Sequence, residues 1–173
     1  MNEKELIKGW KFISSNPDIY KFELDENVFY SGRKSGLLYS KKGASIREFA
    51  TIVQKFQARI YLGKQIKMSC YLKTEQLTRC QAWLQINDSY DDVILFNSMD
   101  SSALQGKTDW NLYSIILDVP KEGASILFGV QLFGTGKVWA DNFSFEEVSE
   151  IISGTESTDR TLSKQQSNLG FNY

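Results

Sequence analysis

Trp83, Gln85, Tyr71, Lys73, Asn97 and Gln131 are the residues of this chain whose types and spacing best suit chemistry, and that chemistry is recognition rather than turnover. Each alternates with aliphatic neighbours in its own segment. A sugar presents apolar C–H faces and dense hydroxyls, so a saccharide groove needs an aromatic platform beside amides and a charge. The plainer use of the same pattern is a solvated outer face with one indole covered by a loop. Catalytic chemistry is poorly provided for. There is no histidine, which removes the commonest general base and every Ser/His or Cys/His nucleophile. Paired carboxylates occur in Asn87-Asp-Ser-Tyr-Asp-Asp92 and could flank a glycosidic bond. Three carboxylates between two apolar segments read instead as a solvated turn, and no enzymatic activity is expected.

The elements that must position these residues follow a period of two. Ile66, Met68, Cys70 and Leu72 alternate with Lys67, Ser69, Tyr71 and Lys73. Ala82, Leu84 and Ile86 alternate with Gln81, Trp83, Gln85 and Asn87. Further strands are expected over 20–24, 35–40, 49–58, 93–97, 111–119, 125–133 and 137–147, with turns at Ser31-Gly32, Leu62-Gly-Lys64, Asn87-Asp-Ser89, Pro120-Lys-Glu-Gly123 and Gly134-Thr-Gly136. Half-buried strands must hide their apolar faces against a second sheet, so the expected class is all-β, an antiparallel β-sandwich with little helix. A helical turn over 1–9 and a polar loop over 98–108 complete it. In the closing strand Trp139, Phe143 and Phe145 are expected on one face, with Asp141 between them. Trp10, Trp110 and Trp139 are assigned to packing. Cys70 and Cys80 fall on strands that could pair as a hairpin, either as two buried thiols or as a cross-strand disulfide.

Composition narrows the partners. Lys+Arg is 20 against Asp+Glu 21 in 173 residues, so nothing advertises nucleic acid or an anionic membrane. No signal-peptide core opens the chain and no run reaches membrane-spanning length, which makes the cytoplasm the expected compartment. The sandwich is expected over 1–148. Over 149–173 the chain turns rich in Ser, Thr and Gln and reads as a linker-like tail, but it ends in Asn168-Leu-Gly-Phe-Asn-Tyr173. An aromatic end of that kind is expected to dock on its own domain or on a neighbour's, the second giving a homo-oligomer through an open sheet edge.

Several segments carry a resemblance: Tyr61-Leu-Gly-Lys-Gln-Ile-Lys-Met-Ser-Cys-Tyr-Leu-Lys-Thr74, Ala82-Trp-Leu-Gln-Ile86, Phe96-Asn-Ser-Met99, 106–120 and 134–148. Together they resemble the galactose-binding-like, carbohydrate-binding-module-like jelly rolls of bacteria. Such domains occur alone, beside enzymes, or appended to AraC-type transcription regulators. The resemblance implies a jelly-roll sandwich and a non-catalytic ligand-binding role on a concave sheet face, with a carbohydrate or another small polar ligand. It also implies a second reading, an effector-sensing or protein-interaction domain linked to a regulator. Resembling modules often bind a structural calcium through an Asp matching Asp141 and an N-terminal Glu. Here that Glu is missing, leaving Glu23 and Asp25 as substitutes, and a carboxylate that simply accepts backbone hydrogen bonds is the competing assignment. Asn168-Leu-Gly-Phe171 is similar to the motif that opens such modules, with Asn172 in place of its Glu.

Overall fold

The computed structural model describes residues 7–148 and 169–172. Among the described residues nine antiparallel strands are present: β1 (Lys11–Ser14), β2 (Tyr20–Asp25), β3 (Ser35–Ser40), β4 (Phe49–Gln57), β5 (Gln65–Asn87), β6 (Val93–Ser98), β7 (Leu104–Asp118), β8 (Ser125–Phe133) and β9 (Lys137–Glu147). The hydrogen-bonded order is β1-β4-β8-β5-β9-β3-β2, with β6 and β7 also on β5.

β5 explains the architecture. Its first half pairs with β9, from Ile66 opposite Glu147 to Glu75 opposite Lys137. Its second half pairs with β8, from Arg79 opposite Phe133 to Asn87 opposite Ser125. The ribbon turns a corner between them, where the Thr78 amide donates to Thr135 O at 2.7 Å and the Thr135 amide to Thr78 Oγ1 at 3.0 Å. One layer is therefore β2-β3-β9-β5-β7 and the other β1-β4-β8-β5-β6. Ile66, Met68, Cys70 and Leu72 of the first half and Cys80, Ala82, Leu84 and Ile86 of the second all enter one core. Phe128 anchors that core, edge-on to Trp10 at 5.3 Å and to Phe145 at 4.8 Å. This is the expected all-β sandwich.

Several local expectations are corrected. The segments around Cys70 and Cys80 form one bent strand, not a hairpin, because β8 and β9 supply their partners. Both cysteines are free and buried. β7 starts at Leu104, so strand takes over half of the expected polar loop, and only Asp100–Ser102 forms a 3-10 turn. β1 lies outside the expected strands. Ile7, in the expected helical turn, forms an isolated bridge with Trp10 just beyond it; residues 1–6 of that turn lie outside the described residues, as do 149–168 and 173 of the tail. In β9, Val138 and Ala140 face the core and so do Phe143 and Phe145, a spacing that strict alternation forbids. A bulge at Asp141-Asn142, opposite the register shift between Ser69 and Tyr71, inserts the extra residue, and Asn142 takes φ 51°. Trp139 consequently faces outward, opposite to the two phenylalanines.

Candidate functional site

The outer face of the layer β1-β4-β8-β5-β6 is built in rows by register. Lys11, Val53, Gly129, Trp83 and Ser98 form one row; Lys55, Leu127, Gln85 and Phe96 the next; Ile13, Thr51, Gln131 and Gln81 the third. Trp83 lies across this face. A Cβ on Gly129 would sit 1.8 Å from Ile52 O and 3.3 Å from the Trp83 ring, so only glycine lets strand and indole approach. The indole N–H donates to Thr51 Oγ1 at 3.1 Å, and that hydroxyl lies 3.0 Å from Val130 O, to which it donates. Trp83 is outside the core cluster yet only 8% exposed. Phe96, diagonal to it, lies near-parallel at 6.3 Å and 26° and is 53% exposed. Phe96 is thus the open aromatic of the face and Trp83 its fixed floor. Around them stand Gln131 and Gln85, the latter donating to Asn87 Oδ1 at 2.8 Å. Gln81 Oε1 is shielded and has no hydrogen-bond partner among the described residues, an acceptor whose desolvation is uncompensated.

Trp83, Gln85 and Gln131 come together; the other three expected residues do not join them. Asn97 stands opposite Leu84, whose side chain is in the core, so it lies on the reverse face of β6 and donates to Ile116 O at 3.1 Å. Tyr71 and Lys73 belong to the first half of β5 and hence to the opposite layer. There Tyr71 stacks on Tyr30 at 3.5 Å between ring centroids, and Lys73 pairs with Asp109 at 3.1 Å. The bend in β5, which alternation cannot reveal, separates them.

The proposed calcium ligands are occupied by donors. Asp141 is fully buried, and its Oδ2 accepts the amides of Tyr30 and Ser31, both at 2.9 Å, while Oδ1 accepts that of Asn142 at 2.7 Å. Burial pushes this carboxyl above its ordinary value against the opposing pull of those amides. Asp25 accepts the Trp139 indole at 2.8 Å and the amides of Asn27 and Val28. Burial alone would raise it, but the indole and the amides together hold it below its usual value. Glu23 is bound instead to Lys21 at 2.6 Å. Among the described residues no three His, Cys, Asp or Glu gather as a metal cluster. N–H dipoles aimed at both carboxylates put positive charge where a cation would sit, so these residues do not fit calcium. The acidic turn is likewise self-contained. Asp88 Oδ1 accepts the amides of Tyr90 and Asp92, and Asp91 pairs with Lys55 at 2.6 Å.

The end of the chain docks on its own domain. Phe171 is buried, stacked on Trp10 at 5.0 Å and edge-on to Phe22 and Phe143 at 6.2 Å. The Phe143 amide donates to Leu169 O at 3.0 Å, and the Arg33 amide to Asn172 Oδ1 at 2.9 Å. Gly36 makes the room, since a Cβ there would stand 2.7 Å from the Phe171 ring. A separate open cleft of ≈ 390 Å³ between the edge strands β1 and β2 is lined by Phe12, Phe22 and Leu24 and by none of the six expected binding residues. Among the described residues no helix is long and apolar enough to cross a membrane.

No protein-family model matches the chain. Over 150 residues it is 40% identical to the uncharacterized HTH-type transcriptional regulator YbfP of Bacillus subtilis (strain 168), covering 86% of this chain and 51% of YbfP. The chain thus spans about half the length of that relative. Among solved structures it is similar to the CBM22-1 xylan-binding domain of Paenibacillus barcinonensis Xyn10C, with TM-score 0.57 and 12% identity over 86% of this chain and 91% of that one. It is also similar to the enzymatically active domain of bacteriophage CBA120 tailspike protein 4, with TM-score 0.64 and 12% identity over 82% of this chain and 20% of that one. A family 16 carbohydrate-binding module gives TM-score 0.53 at 15% identity over 73% and 85%. Two curved layers hinged on one long bent strand, closed by a docked C-terminal phenylalanine, thus make up a β-sandwich with the fold of the carbohydrate-binding modules.

Proposed function

We propose that the chain is a non-catalytic ligand-binding module that takes a carbohydrate on the outer face of β1-β4-β8-β5-β6. The observation that carries this reading is the aromatic pair on that face: an open Phe96 ring beside a Trp83 indole locked flat by Thr51 over Gly129. A pyranose stacks on Phe96 by its C–H face, while Gln85 and Gln131 answer its hydroxyls. The carbohydrate-binding-module fold supports this choice of ligand, although fold alone does not carry function.

The test is calorimetric titration with soluble oligosaccharides, xylohexaose and cellohexaose first, on the wild type and two variants. Phe96→Ala weakens binding at least tenfold, about 1.4 kcal/mol, with little change in Tm because the ring is half exposed. Trp83→Ala loses binding and also stability, about 3 kcal/mol or more, because its indole is nearly closed off. Heat from no saccharide, or unchanged affinity in Phe96→Ala, overturns the reading. The similarity to half of a transcriptional regulator favours a second reading, in which the bound molecule is the effector of a regulator and this domain its sensor. A small metabolite that raises Tm where oligosaccharides do not would support it.

A further inference from the structure

The other layer carries a second aromatic assembly that the proposed groove does not use. Tyr30 lies on Tyr71 with centroids 3.5 Å apart and planes 12° from parallel, and Trp110 stands across Tyr30 at 6.0 Å and 61°. Leu112, directly opposite Tyr71 in the β5–β7 register, is exposed beside them. Tyr30 is 44% exposed. One ring face rests on Tyr71, so its other face and the Trp110 indole frame an open corner. Lys73 and Asp109, paired at 3.1 Å, lie next to it.

This corner is built. Free aromatic pairs settle with centroids 4.5–7 Å apart, offset or edge-on; here the two rings lie face to face at 3.5 Å. The loop between β2 and β3 that bears Tyr30 is held from several sides. The fully buried Asp141 carboxylate takes the amides of Tyr30 and Ser31; Ser35 Oγ donates to Val28 O at 2.6 Å; and the docked end of the chain takes the Arg33 amide through Asn172. Burying a carboxylate is costly. What this one holds in place is an exposed tyrosine ring.

We propose that the Tyr30–Trp110 corner is a second saccharide-stacking site, on the layer opposite the Phe96–Trp83 groove, with Asp141 and Asn172 as positioning residues that keep it preformed. The Tyr30 face receives the C–H face of a pyranose, Trp110 closes one side, and Lys73 and Asp109 meet its hydroxyls. Holding the loop before binding removes the ordering cost that a mobile tyrosine would bring to each encounter. With two sites on opposite layers, one domain bridges two saccharide chains.

Each site has its own reporter, because the indole N–H signals of Trp83 and Trp110 are separable by amide NMR once Trp110→Phe assigns one of them. Xylohexaose, cellohexaose and mannohexaose are titrated to millimolar concentration. The Trp110 signal is expected to move saturably with at least one of them. Tyr30→Ala, which removes an exposed ring, abolishes that movement and leaves any Trp83 response intact. Asp141→Asn keeps both rings but loosens the loop and weakens the Trp110 response at least threefold; should that variant not fold, Tyr30→Ala still decides. A Trp110 signal unmoved by all three hexasaccharides, or moved equally in Tyr30→Ala, overturns the proposal. So does movement with a proline-rich peptide alone. Trp83 silent while Trp110 responds would instead sink the first groove and spare this one.

Discussion

Asp25 and Asp141 sit in one layer, and their environments pull them in opposite directions. Asp25, held below its ordinary value, contributes stability above the unfolded carboxylate range, about pH 4, and loses it as pH falls through its folded value. Asp141 is raised, so its contribution is present below that range and is lost as pH rises through its folded value. Thermal melts between neutral and acid pH should therefore separate the two. The acid loss of Tm is expected to be shallower than wild type in Asp25→Asn and steeper in Asp141→Asn; the reverse order would refute the assignment. The cysteines are simpler. Burial pushes the Cys70 thiol up to about 12 and Cys80 higher still, the latter also through Cys70. Neither offers a thiolate near neutrality, so a thiol reagent is expected to label the chain only as fast as it unfolds. Immediate labelling of the native protein would show an opening that the packing does not contain.

At the level of elements, β5 decides where every candidate residue ends up. Because it runs through both layers, the six expected binding residues are dealt to three surfaces. Trp83, Gln85 and Gln131 share one, Tyr71 and Lys73 occupy another, and Asn97 turns to the reverse of β6. The C-terminal segment 169–172 is an element in its own right, too short to hold a shape without its slot. Phe171→Ala removes a buried ring from contact with Trp10, Phe22 and Phe143, at a cost of about 3 kcal/mol, and should lower Tm by several degrees. Gly36→Ala should do much the same from the other side, because its methyl and the Phe171 ring cannot both fit. An unchanged Tm in both variants would mean that the slot contributes nothing to the fold.

For the molecule as a whole, the two layers present different surfaces, one with Phe96 open beside the nearly closed Trp83 and one with Tyr30 on a loop held by Asp141. The fit of the acidic residues bears on the whole domain. With backbone and indole N–H groups on both Asp25 and Asp141, the sandwich should melt at the same temperature with added calcium and with a chelator. A rise of several degrees on adding calcium would overturn that reading, since a ligand of the native state stabilises it by mass action.

Alternation alone determined most of the strands and which residues face the core, because a half-buried strand must repeat every two residues whatever its partners are. That is why Cys70, Leu72, Leu84 and Ile86 were legible as interior, and Trp83 and Gln85 as outward. The aromatic segment 168–173 was legible as one that could dock on its own domain or on a neighbour's, and the structure places Phe171 in its own domain, against Trp10, Phe22 and Phe143. Which outward residues meet was decided by pairing over long range. The bend in β5, the bulge at Asp141-Asn142 and the Gln85–Phe96 register bring Phe96 to Trp83 and Tyr30 to Tyr71. A period of two carries no information about where a strand turns a corner or takes an extra residue. Those events follow from the partners it finds in space.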